Sequence, residues 1–169
     1  MDKKVAALLN DQVNKEFYSA YLYLDMANFY SSKGLGGFAN WFEIQAKEEQ
    51  FHAIKIYKYL HENGEKVTLE AIDKPALTYT DLIDPLRAAY AHEQYVTSLI
   101  NTIYAAAQEV NDYRTTLFLA WFITEQGEEE ETSGGLVSRM ELFGDDKYSL
   151  YLLDSEMAAR TYIEPGSED

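Results

Sequence analysis

Apolar residues recur at intervals of three and four along four long segments of this chain, and no other feature constrains the fold as strongly. The stripe of the third segment consists of Leu82, Leu86, Ala89, Glu93, Val96, Ile100, Ile103 and Ala107. The three prolines stand at positions 75, 85 and 165, which leaves the first two segments and most of the fourth free of the strongest helix breaker. The spacing therefore predicts long amphipathic helices that pack face to face.

Turn and capping residues set the expected helix boundaries. Residues 34–37, which include three glycines, separate the first two segments, and Gly64 is typical of a helix C-terminus. Asp84-Pro85 is typical of a helix start, and Asn111-Asp112 of an N-terminal cap. Five helices are predicted, at about residues 4–33, 38–63, 82–109, 113–143 and 147–162.

The lengths of the connections predict the topology. Residues 34–37 and 110–112 are short enough to make the helices that they join antiparallel. Residues 65–80 form a link that spans roughly 53 Å when extended, whereas a helix of about 28 residues is only about 42 Å long. This link can return the chain to the other end of the bundle. The expected fold is all-α: a four-helix bundle with a long crossover between helices two and three, plus a short fifth C-terminal helix.

The length of 169 residues is that of one compact domain, so residues 1–169 are expected to form a single domain. Two local departures from regular structure are expected. Gly127, Gly134 and Gly135 each cost about 1 kcal/mol relative to alanine inside a helix, which predicts a kink or local loosening in the fourth helix. The last part of the tail, Pro165–Asp169, is expected to fray.

Composition excludes several classes of function. Without cysteine, the chain has no disulfide, thiolate zinc site or iron–sulfur cluster. The 29 acidic and 14 basic residues give a formal charge of −15, which disfavours nucleic acid and membrane surfaces as partners and attracts cations. The apolar run at residues 5–9 is too short for a signal peptide, and no later run reaches the ~18 residues of a membrane span. A cytoplasmic location is expected.

Charged residues on the inward stripes are the informative exceptions to the pattern. An isolated carboxylate in a dry interior costs several kcal/mol unless it is paired or bound to a metal. The inward charged residues occur on all four long helices: Glu16, Glu49, His52, Glu93 and Glu129. Glu49 and His52 form a Glu-x-x-His pair on one helix face, and Gln126 lies one turn before Glu129.

An internal repeat brings these residues to one depth of the bundle. Glu16 and Glu49 are 33 residues apart, and so are Glu93 and Gln126, so the two helical hairpins superimpose with an offset of 77. Under this offset His52 matches Glu129. Four carboxylates and one imidazole without a thiolate favour iron or manganese, with zinc as a bystander. Oxygen ligands also stabilise Fe(III), and Glu93 lies between the halves, where it can bridge two ions.

The sequence resembles the prokaryotic non-haem ferritins of the ferritin-like superfamily. The resemblance covers nearly the whole chain and is carried by residues 10–20, 47–52, 92–94 and 124–130. It implies a first iron ion on Glu16, Glu49 and His52, and a second ion on Glu49, Glu93 and Glu129, with Gln126 close by. The third iron site that it implies consists of Glu48, Glu125 and Glu128. Tyr23 matches a tyrosine beside the centre, and Trp121 matches a neighbouring aromatic residue.

The resemblance implies an iron-storing ferroxidase. Fe(II) would enter the bundle centre, O₂ or peroxide would accept its electrons, and Fe(III) would form a mineral inside a cage of twenty-four subunits. The fifth helix would line the fourfold channels. No haem is expected, because the second Glu-x-x-His of bacterioferritins is replaced here by Gln126-x-x-Glu129. A rubrerythrin is also excluded, because the chain lacks the cysteines of the rubrerythrin iron domain.

Two alternatives fit the same inward carboxylates. A diiron oxygenase or oxidase would retain its metal permanently and act on an organic substrate. A non-enzymatic acidic bundle would use the carboxylates in a hydrogen-bond network and would not depend on metal. The size of the assembly and the capacity for iron separate these alternatives from storage.

Overall fold

The computed structural model describes residues 1–164, and the expectation that Pro165–Asp169 fray lies outside the described residues. Its five helices are α1 (Lys3–Ser32), α2 (Gly36–Glu62), α3 (Asp84–Glu109), α4 (Tyr113–Phe143) and α5 (Lys147–Ala158). The predicted helices are confirmed in order and number. The largest difference in bounds is at α5, which ends at Ala158 instead of residue 162, because the chain there turns back over α2.

The helix ends follow their capping residues. The side chain of Asp112 accepts a hydrogen bond from the Thr115 N–H at 3.0 Å, and Asp146 accepts one from the Ser149 N–H at 2.7 Å. Each cap satisfies a backbone donor that the first turn of a helix leaves free. Gly64 has a φ of 76°, the left-handed conformation that favours glycine just beyond a helix C-terminus.

The long connection crosses the bundle along α1. Near its start, the Asn10 side chain donates to the Thr68 carbonyl at 3.1 Å, and at its end the Tyr30 hydroxyl donates to the Leu82 carbonyl at 2.5 Å. Residues 63–83 therefore run from the first third of α1 to its last turn. Since α2 also begins beside the end of α1, α2 and α3 are parallel, and the predicted crossover topology is confirmed.

Two apolar clusters fill the bundle on either side of a polar layer. One contains Met26, Tyr30 and Phe42, and the other contains Leu9 and Ile100. Between them lie buried polar side chains from all four long helices: Gln12, Glu16, Ser19, Gln45, Glu49, His52, Glu93, Gln126, Glu129 and Ser133. The apolar halves hold the helices together, and the polar layer lies at mid-length.

The glycines of the fourth helix do not interrupt it. Helix α4 is continuous through Gly127, Gly134 and Gly135, so these glycines do not break the helix, and the expected kink stays a prediction. Each glycine costs only about 1 kcal/mol, and the packing of Leu136 and Met140 into the core maintains the helix across them.

Helix α5 caps the start of α2. The Asp154 carboxylate accepts hydrogen bonds from the backbone N–H groups of Gly37 at 2.8 Å and Phe38 at 3.0 Å. Leu35, the residue before α2, has no polar side chain for this purpose. Within residues 1–164, no helix has the length and apolar character needed to cross a membrane.

Candidate metal centre

The polar layer contains the six residues that the sequence places at the diiron centre. Each side chain is buried, and Glu129, the most exposed, is only 7% accessible. The six are Glu16, Glu49, His52, Glu93, Gln126 and Glu129. They come from four helices, so the site exists only when the whole bundle is assembled.

Three of these residues form a compact cluster. One ligand atom from each of Glu16, Glu49 and His52 lies within 4.8 Å of the other two. Nδ1 of His52 is 3.4 Å from Oε2 of Glu49, so this ring nitrogen is on the side of the carboxylates. Gln12, one turn before Glu16, donates from Nε2 to Oε1 of Glu16 at 2.9 Å and fixes the orientation of that carboxylate.

The cluster has donor atoms that the protein does not use. Oε2 of Glu16, Oε1 of Glu49 and both ring nitrogens of His52 are buried and have no hydrogen-bond partner among the described residues. Buried polar atoms are almost always paired, so each of these atoms is costly as it stands. Two carboxylates and one imidazole aimed into one space are a donor set that fits a divalent transition-metal ion.

Glu93 lies beside this cluster and is held from two directions. The Tyr23 hydroxyl donates to Oε1 of Glu93, and Nε2 of Gln126 donates to Oε2 at 3.1 Å. Gln126 also contacts the Glu93 carbonyl at 3.3 Å. Tyr23 and Gln126 thus orient Glu93 without occupying all of its lone pairs.

Glu129 is oriented by a residue on the facing helix. Nε2 of Gln45 donates to Oε2 of Glu129 at 2.5 Å. The Glu129 carboxylate also raises the pKa of Glu49, so the two interact electrostatically. The cluster within 4.8 Å, however, includes neither Glu93 nor Glu129.

The centre disfavours negative charge in the absence of a cation. Burial raises the pKa of Glu49 well above its usual range, and Glu93, Glu16 and Glu129 raise it further. Burial likewise raises the pKa of Glu93 to about 7 and that of Glu129 well above the ordinary value. A cation reverses this balance, because it favours the ionised form of every carboxylate around it.

His52 is neutral in this environment. Burial lowers its pKa to about 3, and nearby Lys55 contributes to the shift. A neutral imidazole is the form that binds metal ions. The ring contacts Trp121 with centroids 5.5 Å apart and Phe122 at 5.9 Å, which limits its rotation.

The three residues of the third predicted site lie at the edge of the centre. Oε1 of Glu125 is 3.9 Å from Nε2 of His52, and Glu128 is exposed. Burial raises the pKa of Glu125, and the charges of Glu128 and Glu48 add to the effect. Glu48 is engaged by Arg160, whose Nη2 donates to its Oε2 at 2.6 Å.

The contacts of three residues at the centre, Gln12, Gln45 and Arg160, were not predicted from the sequence. Gln12 and Gln45 stand four residues before Glu16 and Glu49 on the inward stripes, a spacing that places each one turn away. That spacing was available as a signal. Arg160 had no such signal, because it reaches Glu48 from a part of the chain 112 residues away.

The family follows from a comparison with known proteins. A family model described as a ferritin-like domain matches residues 6–143. The chain belongs to the ferritin family. A bacterial non-haem ferritin of Staphylococcus epidermidis is 37% identical over 164 residues, which cover 97% of this chain and 99% of the relative. One from Staphylococcus aureus is 35% identical over the same shares of the two chains.

Solved ferritin structures have the same fold. The open-pore ferritin of Archaeoglobus fulgidus superimposes on this ferritin with a TM-score of 0.93 and 38% identity, covering 95% of this chain and 99% of that one. A closed form engineered from the same protein gives a TM-score of 0.94 at 37% identity, with 96% and 99% covered. This ferritin has the five-helix ferritin fold, and as a non-haem ferritin it functions in iron storage.

Proposed function

We propose that this ferritin is a ferroxidase, which oxidises Fe(II) at the polar layer of the bundle and stores the Fe(III) as a mineral inside a hollow assembly. The observation that carries the proposal is the set of unpartnered donor atoms on Glu16, Glu49 and His52, which converge in a buried space. A structural polar network would supply hydrogen-bond partners from neighbouring residues to those atoms, and none of the described residues does so.

Fe(II) is the substrate, and its first ion binds to Glu16, Glu49 and Nδ1 of His52. Gln12 keeps one oxygen of Glu16 occupied, so the free Oε2 of Glu16 is the atom that binds the ion. Binding displaces the protons that burial keeps on the carboxyls. Two carboxylates neutralise the charge of the ion, and neutral His52 adds none.

The second Fe(II) binds between Glu49, Glu93 and Glu129. Glu49 is shared with the first ion, and Tyr23, Gln126 and Gln45 hold the other two carboxylates in place. Fixed ligands lower the cost of binding because little rearrangement is needed.

Oxidation removes one electron from each of the two Fe(II) ions. With two protons, this pair of electrons reduces O₂ to hydrogen peroxide or, where peroxide is the oxidant, hydrogen peroxide to two water molecules. The carboxylate ligands stabilise the product because anionic oxygen favours Fe(III) over Fe(II). Tyr23 touches Glu93 through its hydroxyl and is placed to supply a hydrogen bond or an electron at the reacting ions. Among the residues proposed as catalytic, Tyr23 acts beside the ions, and Glu16, Glu49 and His52 hold them.

The product leaves through acidic side chains at the edge of the centre. Glu125 lies beside His52, and Glu128 is on the exposed side of α4. With Glu48 they form the proposed third iron site, which iron occupies only in passage between the buried pair and the cavity of a shell of twenty-four subunits. The chain forms one domain in this assembly and needs no haem.

The proposal is tested by anaerobic Fe(II) titration followed by rapid mixing with O₂, with the ferric absorbance and the iron per chain as readouts. Glu49→Ala and His52→Ala are compared with the unsubstituted protein. Each substitution is expected to slow the fast phase by at least about 100-fold, the effect typical of losing a catalytic electrostatic contact. Glu62→Ala, an exposed glutamate at the end of α2, is the control and keeps the fast phase.

Each alternative gives a different result. Iron that accumulates far beyond three ions per chain supports storage, whereas saturation at two tightly held ions would indicate an oxygenase. If the unsubstituted protein and both variants bind no iron, the buried carboxylates have only a structural role.

A further inference from the structure

The C-terminal segment reaches back to the edge of the metal centre through one side chain. Arg160 lies two residues beyond the end of α5 and stacks on the Trp41 ring, with its guanidinium carbon 4.6 Å from the ring centroid. Nη1 of Arg160 also donates to the Trp41 carbonyl at 3.3 Å. The side chain is 25% exposed, so the protein and not water sets its position.

The guanidinium binds the Glu48 carboxylate directly. Nη2 of Arg160 donates to Oε2 of Glu48 at 2.6 Å, and the Glu48 side chain is only 14% exposed. A short, charge-assisted bond in a half-buried setting is stronger than an ion pair on an open surface. Arginine stays charged at every accessible pH, so this cation is permanent.

The same guanidinium fixes the partner of Glu129. Nη1 of Arg160 donates to Oε1 of Gln45 at 2.9 Å, and Nε2 of Gln45 donates to Glu129 at 2.5 Å. An amide has its oxygen and its nitrogen on opposite sides, so holding the oxygen towards Arg160 directs the nitrogen to Glu129. Arg160 therefore holds Glu48 directly and Glu129 through Gln45.

A metal ion and Arg160 compete for the same carboxylate. An ion at the edge of the centre would need Glu48 together with Glu125 and Glu128, and a second cation close to a bound guanidinium is repelled. Glu128 is exposed, and the side chain of Glu125 is 22% exposed against 14% for Glu48, so Glu48 is the most buried of the three.

We propose that Arg160 is a specificity-determining residue that occupies the third metal position as a tethered cation and limits the chain to two tightly bound ions. This inference rests on the proposed function, since it assumes that the buried pair binds metal. Because the guanidinium occupies Glu48, no third ion stays bound at the edge of the centre. The oxidised product therefore moves on to the cavity.

The test is a calorimetric titration of the assembled, iron-free protein with Zn²⁺, which binds carboxylates and imidazole and has no redox chemistry. The unsubstituted protein is expected to bind two ions tightly per chain. Arg160→Gln is expected to bind a third ion at least about tenfold more tightly than the unsubstituted protein does, because Glu48 is freed. Adding Glu48→Gln to Arg160→Gln is expected to abolish that gain.

Arg139→Gln is the matched control. Arg139 also pairs with a glutamate, Glu156 of α5, but this pair is exposed and lies away from the centre. The substitution removes the same charge and is expected to leave two ions per chain.

The inference is overturned if Arg160→Gln gives the same number of ions and the same affinities as the unsubstituted protein, or fewer ions. If Glu49→Ala binds as many Zn²⁺ ions as the unsubstituted protein, and as tightly, the proposed function fails as well. Crystals of the unsubstituted protein soaked in Zn²⁺ provide a test that does not depend on how a variant folds. Arg160 is expected to remain on Glu48, and an ion bound to Glu48 in its place would refute the proposal.

Discussion

At the scale of single residues, the centre is a set of carboxyl groups that burial keeps partly protonated. Glu16, Glu49, Glu93 and Glu129 all have pKa values above the ordinary value, and burial is the largest cause for each. The metal-free layer is therefore a source of instability that a bound cation relieves. A site built in this way binds cations, but it lowers the stability of the metal-free protein.

The stability of the metal-free protein is expected to rise as the pH falls from about 8 to about 6.5. A carboxyl whose pKa is raised by folding contributes stability below its unfolded pKa, and that stability is lost as the pH rises through the folded value, about 7 for Glu93. Over this range, Glu93 alone accounts for about 1 kcal/mol. Chemical unfolding at several pH values measures the change.

Histidines limit that pH window. Burial lowers the pKa of His52 to about 3 and that of His92 to about 4. Their contribution to stability is full well above the unfolded pKa of about 6.5, and about 0.4 kcal/mol per histidine is already lost at that pH. The net rise in stability down to about pH 6.5 therefore depends on Glu49 and Glu129 as well as on Glu93. Glu93→Gln is expected to make the rise between about pH 8 and about pH 6.5 smaller by about 1 kcal/mol, and the raised pKa values of Glu49 and Glu129 maintain the rest. A free energy of unfolding of the unsubstituted protein that falls on acidification in this range would contradict this expectation.

The inward residues were predictable and their partners were not. Glu16, Glu49 and His52 lie where a helical period places them, because the period depends only on local geometry. The hydrogen bonds of Gln45 to Glu129 and of Arg160 to Glu48 depend on which helices face each other and at what distance. The period of one helix contains no information about these contacts.

At the scale of helices, the junction of α2 and α5 depends on a glycine. A Cβ atom at Gly37 would overlap the backbone carbonyl of Asp154, whereas no atom of the described residues lies within 4 Å of a Cβ at Gly36. The close approach allows the Asp154 carboxylate to cap α2. Gly37 is thus required by the neighbouring helix and not by its own conformation.

Gly37→Ala is expected to destabilise the protein by about 2 kcal/mol or more, because it displaces α5 and removes a cap that contributes about 1 kcal/mol. Gly36→Ala is the matched control and is expected to change the stability little or to raise it. Thermal unfolding of the two variants measures the difference. Equal melting temperatures would show that the contact between α2 and α5 contributes nothing.

The positions of the helices could be predicted from the sequence. The effect of the glycines inside α4 and the exact end of α5 could not. The crossover between α2 and α3 followed from the length of the link, since its reach exceeds the length of a helix. The continuity of α4 through Gly127 depends on tertiary packing, which overrides a weak local propensity. The early end of α5 reflects the contact of Arg160 with α2.

At the scale of the whole molecule, the last two helices expose large apolar side chains that a stable monomer would bury. The exposed residues are Leu142, Phe143, Tyr148, Tyr151 and Leu152. Large apolar side chains exposed in this number on two consecutive helices favour a contact with another protein. In the proposed shell, four copies of α5 are expected to meet around each fourfold axis. Their contacts would cover these exposed apolar side chains.

Tyr151→Arg is expected to break the assembly without unfolding the chain. Four guanidinium groups brought together at one axis repel each other, and each also loses the apolar contact of the ring. Size-exclusion chromatography is expected to change from several hundred kilodaltons to small oligomers, while circular dichroism stays helical. Tyr151→Phe retains the ring and should retain the assembly, and an intact assembly of Tyr151→Arg would exclude α5 from the contact.

The positions of iron in the crystal decide whether the buried polar layer binds the two Fe(II) ions. Crystals of the assembled protein soaked anaerobically in Fe(II) would be measured at the iron absorption edge. Two anomalous peaks per chain are expected, about 3.5–4 Å apart. One is expected among Glu16, Glu49 and His52, and the other among Glu49, Glu93 and Glu129. Iron found only on the surface, with none in the buried layer, would contradict this expectation.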